Sequence, residues 1–323
     1  MTEQMRWPAI VLVVVSTVVW GMLFGPFLWT EPLDLPMGLA VCGPAPLLIR
    51  EVVRRRGGGW PALMMFGAGF GAAQYALVGV ISLAGLQNVP GGLHYGEPFC
   101  LTWVSALGYI AMYAVWAITL PILLTELVFG DRRSQPWLRR TGIVAAAAVL
   151  VVVDSLVICA IWALPWAIDR QPPAFPLPVR SLGVAVMAAV LLAAGWWSTT
   201  ALRGRGESVT APAPAAAMVG LVALAGSSAW LGINRVADGE LPIPAVLLCY
   251  LLLLMGGALL IRRWLSRTGF DDRHRLACYA GALAGYVIDQ SLMFRPTGVD
   301  LAFDVAVCVV AVVLLWRLGK IVR

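Results

Sequence analysis

Three aspartates, Asp154, Asp289 and Asp304, fall inside long apolar runs, with Glu97 in the loop after the third run and Glu126 near the end of the fourth. A carboxyl group in hydrocarbon is expensive. A central Asp costs about 2.5 to 3.5 kcal/mol on insertion scales, so each of these acids is a candidate functional group. A carboxylic acid kept out of water can hold its proton and serve as a general acid. Aromatic residues recur around these acids. Tyr109, Tyr113 and Trp116 stand at i, i+4 and i+7, with Trp103 about two turns earlier, and Trp162 follows Asp154 by about two turns. Tyr279, Tyr286, Asp289 and Met293 form a second stripe, and Asp300, Asp304 and Cys308 a third. Such stripes also serve as bundle core or as interfacial belts.

An acid beside a dry aromatic wall suits protonation-initiated cyclisation of a prenyl chain: the acid protonates an alkene or epoxide, and the rings shelter successive carbocations. Desolvated cation–π contacts supply about 2 kcal/mol or more each. On this reading Asp154 or Asp289 is the proton donor, with Asp304 and Glu97 as second choices. Trp103, Tyr109, Tyr113, Trp116, Trp162, Tyr286 and Gln74 line the cavity. The same residues suit a proton-coupled carrier of a hydrophobic or cationic compound, in which the acid loads and releases a proton as access alternates. A third reading makes the acids packing partners in a non-catalytic assembly protein.

Other chemistries are excluded. His94 and His274 fall in loops on opposite sides, which leaves no di-histidine metal site and no haem ligation. There is no GxSxG elbow, and Gly226-Ser227-Ser228 has no facing histidine. No P-loop is present. The six cysteines are scattered without a CxxC pair, which argues against a zinc or redox centre. No metal and no cofactor is expected. The partners expected are a prenylated hydrophobic small molecule and membrane lipid, with no nucleic acid; the oligomeric state is not encoded.

The helices that carry these residues follow from composition and the run of apolar segments. The chain is 60% hydrophobic and 12% charged, with a mean hydropathy of +0.85, whereas soluble domains carry about 25% charged residues. Apolar runs and their breakers give ten spans: 7 to 29, 35 to 53, 61 to 86, 99 to 128, 141 to 168, 180 to 202, 213 to 234, 242 to 264, 276 to 294 and 299 to 317. With the N-terminus cytoplasmic, 19 of the 23 basic residues fall in cytoplasmic segments, and only Arg170, Arg180, Arg235 and Arg295 lie outside. That alternation predicts ten spans with both termini inside. The fold expected is all-α, a polytopic transmembrane helix bundle forming a single domain over 1–323. Five spans precede the outer loop at 169–180 and five follow it, in a multi-pass protein of the plasma membrane. The first run, from Trp7, lacks a cleavage site and reads as a permanent span.

Particular segments add detail. Pro36, Pro44 and Pro46 interrupt the second span and predict a kink packed inside the bundle. Gly67, Gly69, Gly71, Ala72 and Ala73 predict close approach of another helix, which places Gln74 at mid-membrane beside a partner. The loop Gln87 to Pro98 could cap a cavity. Asp271 and Asp272, among arginines, read as a solvated charge cluster.

Two blocks carry a family resemblance. The first is Phe24-Gly25-Pro26-Phe27-Leu28-Trp29-Thr30-Glu31-Pro32-Leu33 with Pro46-Leu47-Leu48-Ile49-Arg50-Glu51-Val52-Val53-Arg54-Arg55. The second runs from Trp116 through Thr125-Glu126-Leu127-Val128-Phe129 and Asp131-Arg132-Arg133 to Pro136-Trp137-Leu138. Together they resemble a group of actinobacterial polytopic membrane proteins and, more loosely, bacterial integral-membrane terpene cyclases of indole-terpenoid pathways. The resemblance covers about the first 140 residues and implies a membrane-embedded cyclase without assigning a catalytic residue. Where such relatives show paired glutamates on the third span, this chain reads Ala72-Ala73-Gln74, which removes the pair a CAAX-protease-like site would use.

Overall fold

The computed structural model describes residues 7–24, 38–40, 42–76, 103–167, 177–201, 209–236, 242–294 and 298–321. Within them the chain is mostly helical. The helices are α1 (Trp7–Phe24), α2 (Pro44–Arg55), α3 (Trp60–Gln74), α4 (Trp103–Met112), α5 (Leu120–Val128), α6 (Arg140–Ala167), α7 (Leu177–Ala201), α8 (Ala216–Val236), α9 (Ile243–Leu265), α10 (Asp272–Phe294) and α11 (Gly298–Ile321). A π-helical segment, Tyr113–Thr119, joins α4 to α5. Each predicted span therefore contains helix. Among the described residues, four helical stretches are long and apolar enough to cross a membrane: Ala106–Val128 along the α4–π–α5 column, Arg140–Val157, Ala216–Ile233 and Pro244–Leu265.

Helix α6, 28 residues, is about 42 Å long at 1.5 Å per residue, more than the roughly 30 Å of a bilayer's hydrocarbon. Its apolar side chains face outward, with Val144, Val151 and Leu156 each about two-thirds exposed. A helix apolar on its exposed faces requires a non-aqueous surrounding. By contrast, the α4–π–α5 column is mostly buried, against α1, α2, α3 and α10. It is the centre of the bundle.

The π turn has an identifiable cause. Pro121 has no N–H, and its ring would crowd the carbonyl four residues back in a regular helix. The chain widens before it, and Leu120 donates to Val115 O, five residues back. Thr125 Oγ1 returns a 2.8 Å hydrogen bond to Pro121 O.

Small residues set the two tightest helix pairs. On α3, a Cβ built at Gly69 would sit 2.7 Å from Leu192 of α7, and one at Gly71 would sit 2.7 Å from Tyr113. This is the close approach that the glycine run predicts. Helices α8 and α10 meet in the same way through Gly220, Gly281 and Gly285.

Helix α2 ends in a Schellman turn. Gly57, at φ 69, and Gly58 donate to Arg54 O and Val53 O respectively. Its last turns hold a buried charge cluster. Arg50 is fully buried and bonds Glu51 (3.1 Å), Glu126 (3.2 Å), Arg132 O (3.4 Å) and Arg133 O (3.0 Å). Its guanidinium lies 3.2 Å from the centre of the Trp137 ring. Arg54 clasps both oxygens of Glu126, and Arg55 bonds Glu51 at 3.0 Å. Glu51 also accepts the Trp137 backbone N–H at 2.6 Å. The two sequence blocks that carry the resemblance are thus in contact.

The chain is not all helix. A two-stranded parallel ladder, β1 (Val209–Pro212) with β2 (Arg267–Thr268), ties two inter-helix connections together. His274 reinforces it, with Nδ1 2.6 Å from Asp271 Oδ1 and Nε2 2.9 Å from Pro214 O. Asp272 bridges Arg133 and Arg275, and Asp271 is more than half exposed, so the charge cluster is solvated and hydrogen-bonded at once. The slight burial of Asp271 would raise its pKa, but hydrogen bonds from the His274 ring and the His274 and Arg273 backbone outweigh this and hold it below the ordinary aspartate value. A folded-state pKa below the unfolded one contributes stability above the unfolded value and loses it as pH falls through the folded value. Asp271→Asn is expected to lower stability at neutral pH by about 0.2 to 1 kcal/mol, the range for partly exposed pairs. Melting curves at stepped pH should show that difference vanish in acid.

Candidate functional site

Asp154 lies at the midpoint of α6, half-buried, and accepts a 3.0 Å hydrogen bond from Gln74 Nε2 at the end of α3. Both residues stand out in the sequence, and the fold joins them across 80 positions. The local reason is face geometry. Gly67, Phe70, Gly71 and Gln74 stand at i, i+3, i+4 and i+7, one side of α3. The two glycines let α3 press on Ile110, Tyr113, Ala114 and Ile118, and this seats Phe70 and Gln74 against the π segment.

A cavity opens there, lined by Trp20, Cys42, Ala45, Phe70, Gln74, Tyr113, Ala117 and Ile118. Its free volume is about 10 Å³, room for about one water molecule. Gln74 touches both the cavity and Asp154, so an amide connects the acid to an aromatic-walled space. Trp20 and Tyr113 are joined by a side-chain hydrogen bond. A row of phenols extends from the cavity: Phe70 meets Tyr113 edge-on at 5.7 Å, Tyr113 meets Tyr109 at 5.0 Å, and Tyr109 meets Tyr75 at 5.6 Å. The Tyr109 and Tyr113 hydroxyls are 3.5 Å apart.

An amide is a suitable partner for a group that changes protonation state. Its N–H₂ donates to a carboxylate or to the carbonyl of the neutral acid, and its oxygen accepts from the neutral acid's O–H. A lysine or arginine in its place would fix the charge.

Of the expected wall residues, Tyr109 and Tyr113 belong to this row. Trp116 does not. The π segment breaks the i, i+4, i+7 register, and Trp116 packs instead on Tyr286 at 5.5 Å and donates to Ala282 O of α10 at 3.1 Å. Tyr286 is therefore part of a second aromatic contact, with its hydroxyl on Met112 Sδ at 3.7 Å. Ser227 Oγ donates to the same Ala282 carbonyl at 2.9 Å. The side chains of Asp289, Asp304, Trp103 and Trp162 lie outside the described residues, as do Glu97 and its loop. Sequence reasoning missed Trp20, Cys42, Phe70 and Tyr75. Phe70 was legible from its four-residue spacing to Gln74, whereas Trp20 and Cys42 sit in apolar runs with no marker.

No protein-family model matches the chain, and no curated protein and no solved structure matches it. The fold and site define a class: a helical, membrane-compatible bundle with an acid–amide pair beside an aromatic-walled cavity.

Proposed function

We propose that this is a ten-span protein of the plasma membrane, with both termini cytoplasmic, that carries a hydrophobic or cationic small molecule in exchange for, or together with, protons. Asp154 is the proton-loading group and Gln74 its partner. The observation behind this reading is the Asp154–Gln74 bond: an intramembrane acid whose partner is neutral and accepts either protonation state, touching the cavity through that partner. The cavity's size is compatible with it. A cavity of about 10 Å³ is far below the 300 to 1,000 Å³ of a ligand-filled pocket, and a carrier passes through such a closed state between its two open ones. The ten-span orientation draws on the alternation of arginine between successive loops.

A second reading keeps the chemistry and changes the outcome. The aromatic lining, Trp20, Phe70 and Tyr113, is the environment a carbocation needs, and this supports a class II type terpene cyclase acting on a prenylated small molecule once the cavity opens.

The two separate in one pair of assays. In proteoliposomes containing a pH dye, an imposed proton gradient should drive uptake of the lipophilic cation ethidium, and Asp154→Asn should reduce it to the level of empty liposomes. Uptake undiminished by that substitution removes Asp154 from the mechanism. Detergent-solubilised protein incubated with a prenylated indole should leave it unchanged, whereas an isomer of identical mass establishes the cyclase.

A further inference from the structure

The buried charge cluster has no role in the acid–amide pair, yet the two elements that hold it, α2 and the π–α5 column, also line the cavity that Gln74 touches. On α2, Ala45 lines the cavity and Arg54 lies nine residues further along, about 13 Å at 1.5 Å per residue. On the π–α5 column, Ile118 lines the cavity and Glu126 lies eight residues further, about 12 Å. Both run toward the arginine-rich side. We infer that the contacts of Glu126 with Arg50 and Arg54 are a gate that closes the cavity from that side, the cytoplasmic one in the proposed orientation. The inference rests on the carrier reading in taking the cavity to open to each side in turn.

The bonding is divided as a gate requires. Between α5 and α2 there are three side-chain bonds, all to Glu126: one from Arg50 Nε and two from Arg54. If α5 swings away, taking the Arg132 and Arg133 carbonyls of the turn that follows it, Arg50 keeps Glu51 on its own helix, and Arg54 keeps Gly58 O. No arginine is left buried without a partner. Arg54 is already 16% exposed, so water reaches it as the contact opens. The hinge is present too: Pro121 lies between Ile118 in the cavity wall and Glu126, just after the π segment, and helices bend at such positions.

Cys42, buried in the cavity wall, is a built-in reporter. In a full-length chain with Cys100, Cys159, Cys249, Cys278 and Cys308 changed to Ser, inside-out vesicles are treated with a membrane-impermeant cationic methanethiosulfonate, a reagent too large for the closed cavity. Glu126→Gln should raise the Cys42 labelling rate at least about tenfold over the parent. Arg54→Gln, at a partly exposed position and therefore milder for the fold, should raise it by a smaller factor. Gel filtration confirms that each variant is folded. Labelling of folded variants no faster than the parent overturns the gate, as does an increase that appears only in right-side-out vesicles. Faster labelling with no proton-driven uptake leaves the gate standing and removes the carrier reading. Uptake that depends on Asp154, with unchanged labelling, does the reverse.

Discussion

Replacing Arg50 by alanine is expected to cost about 3 to 5 kcal/mol, the range for breaking a buried ion pair from one side, a large part of a typical folding free energy. The cost arises from what is left behind. Glu51 and Glu126, 1% and 5% exposed, each lose a partner, two carbonyls of the 129–138 connection lose a donor, and the Trp137 ring loses its cation. Lysine does not substitute. Arg50 reaches its acceptors through three different nitrogens, and an ammonium presents a single point charge without the planar fork. Thermal melting in detergent should place Arg50→Ala far below the parent, with Arg50→Lys between them. A parent-like melting temperature for Arg50→Ala would show the cluster to be energetically idle.

Gly281→Val is expected to separate α8 from α10. A Cβ at Gly281 collides with the Gly220 carbonyl oxygen and lies 3.1 Å from Leu224 N. Both obstacles are backbone, so no side-chain rotation relieves them. Overpacking of this kind costs about 1 to 3 kcal/mol and occasionally more. Here the separation also strains the Ser227 bond to Ala282 O, which spans the two helices. Gly256 on α9 is the control. A Cβ there meets nothing within 4 Å, and alanine is the better helix former by about 1 kcal/mol, so Gly256→Ala should leave the melting temperature equal or higher. Equal effects at the two positions would mean that the α8–α10 contact is not limited by glycine.

These two sites differ in how far the sequence exposes them. Gly281 and Gly285 form a small-xxx-small spacing, as readable as the Gly67-Gly69-Gly71 run, whose close contacts with Ala114, Leu192 and Tyr113 the structure bears out. Arg50, Arg54 and Glu126 were visible only as a charge pattern. Their pairing spans more than 70 positions, so the sequence cannot tell a topology signal from a buried ion pair. The candidate site shows the same division. Asp154 and Gln74 each stand out as polar residues in apolar runs, but which helix faces which depends on the bundle. The break in the Tyr109-Tyr113-Trp116 stripe was hidden as well. A π turn has no compositional signature of its own, and only Pro121 hinted at a disturbed register. The short parallel ladder between β1 and β2 forms in polar connections, where hydrophobic periodicity carries no information.

The central claim is that Asp154 exchanges a proton while bonded to Gln74. Infrared difference spectra of the detergent-solubilised protein, recorded between acid and alkaline pH, test it most directly. We expect a carboxylic-acid C=O band that is absent in Asp154→Asn and shifts in frequency in Gln74→Leu, where the amide partner is lost. A wild-type spectrum identical to that of Asp154→Asn across the whole pH range would contradict the claim.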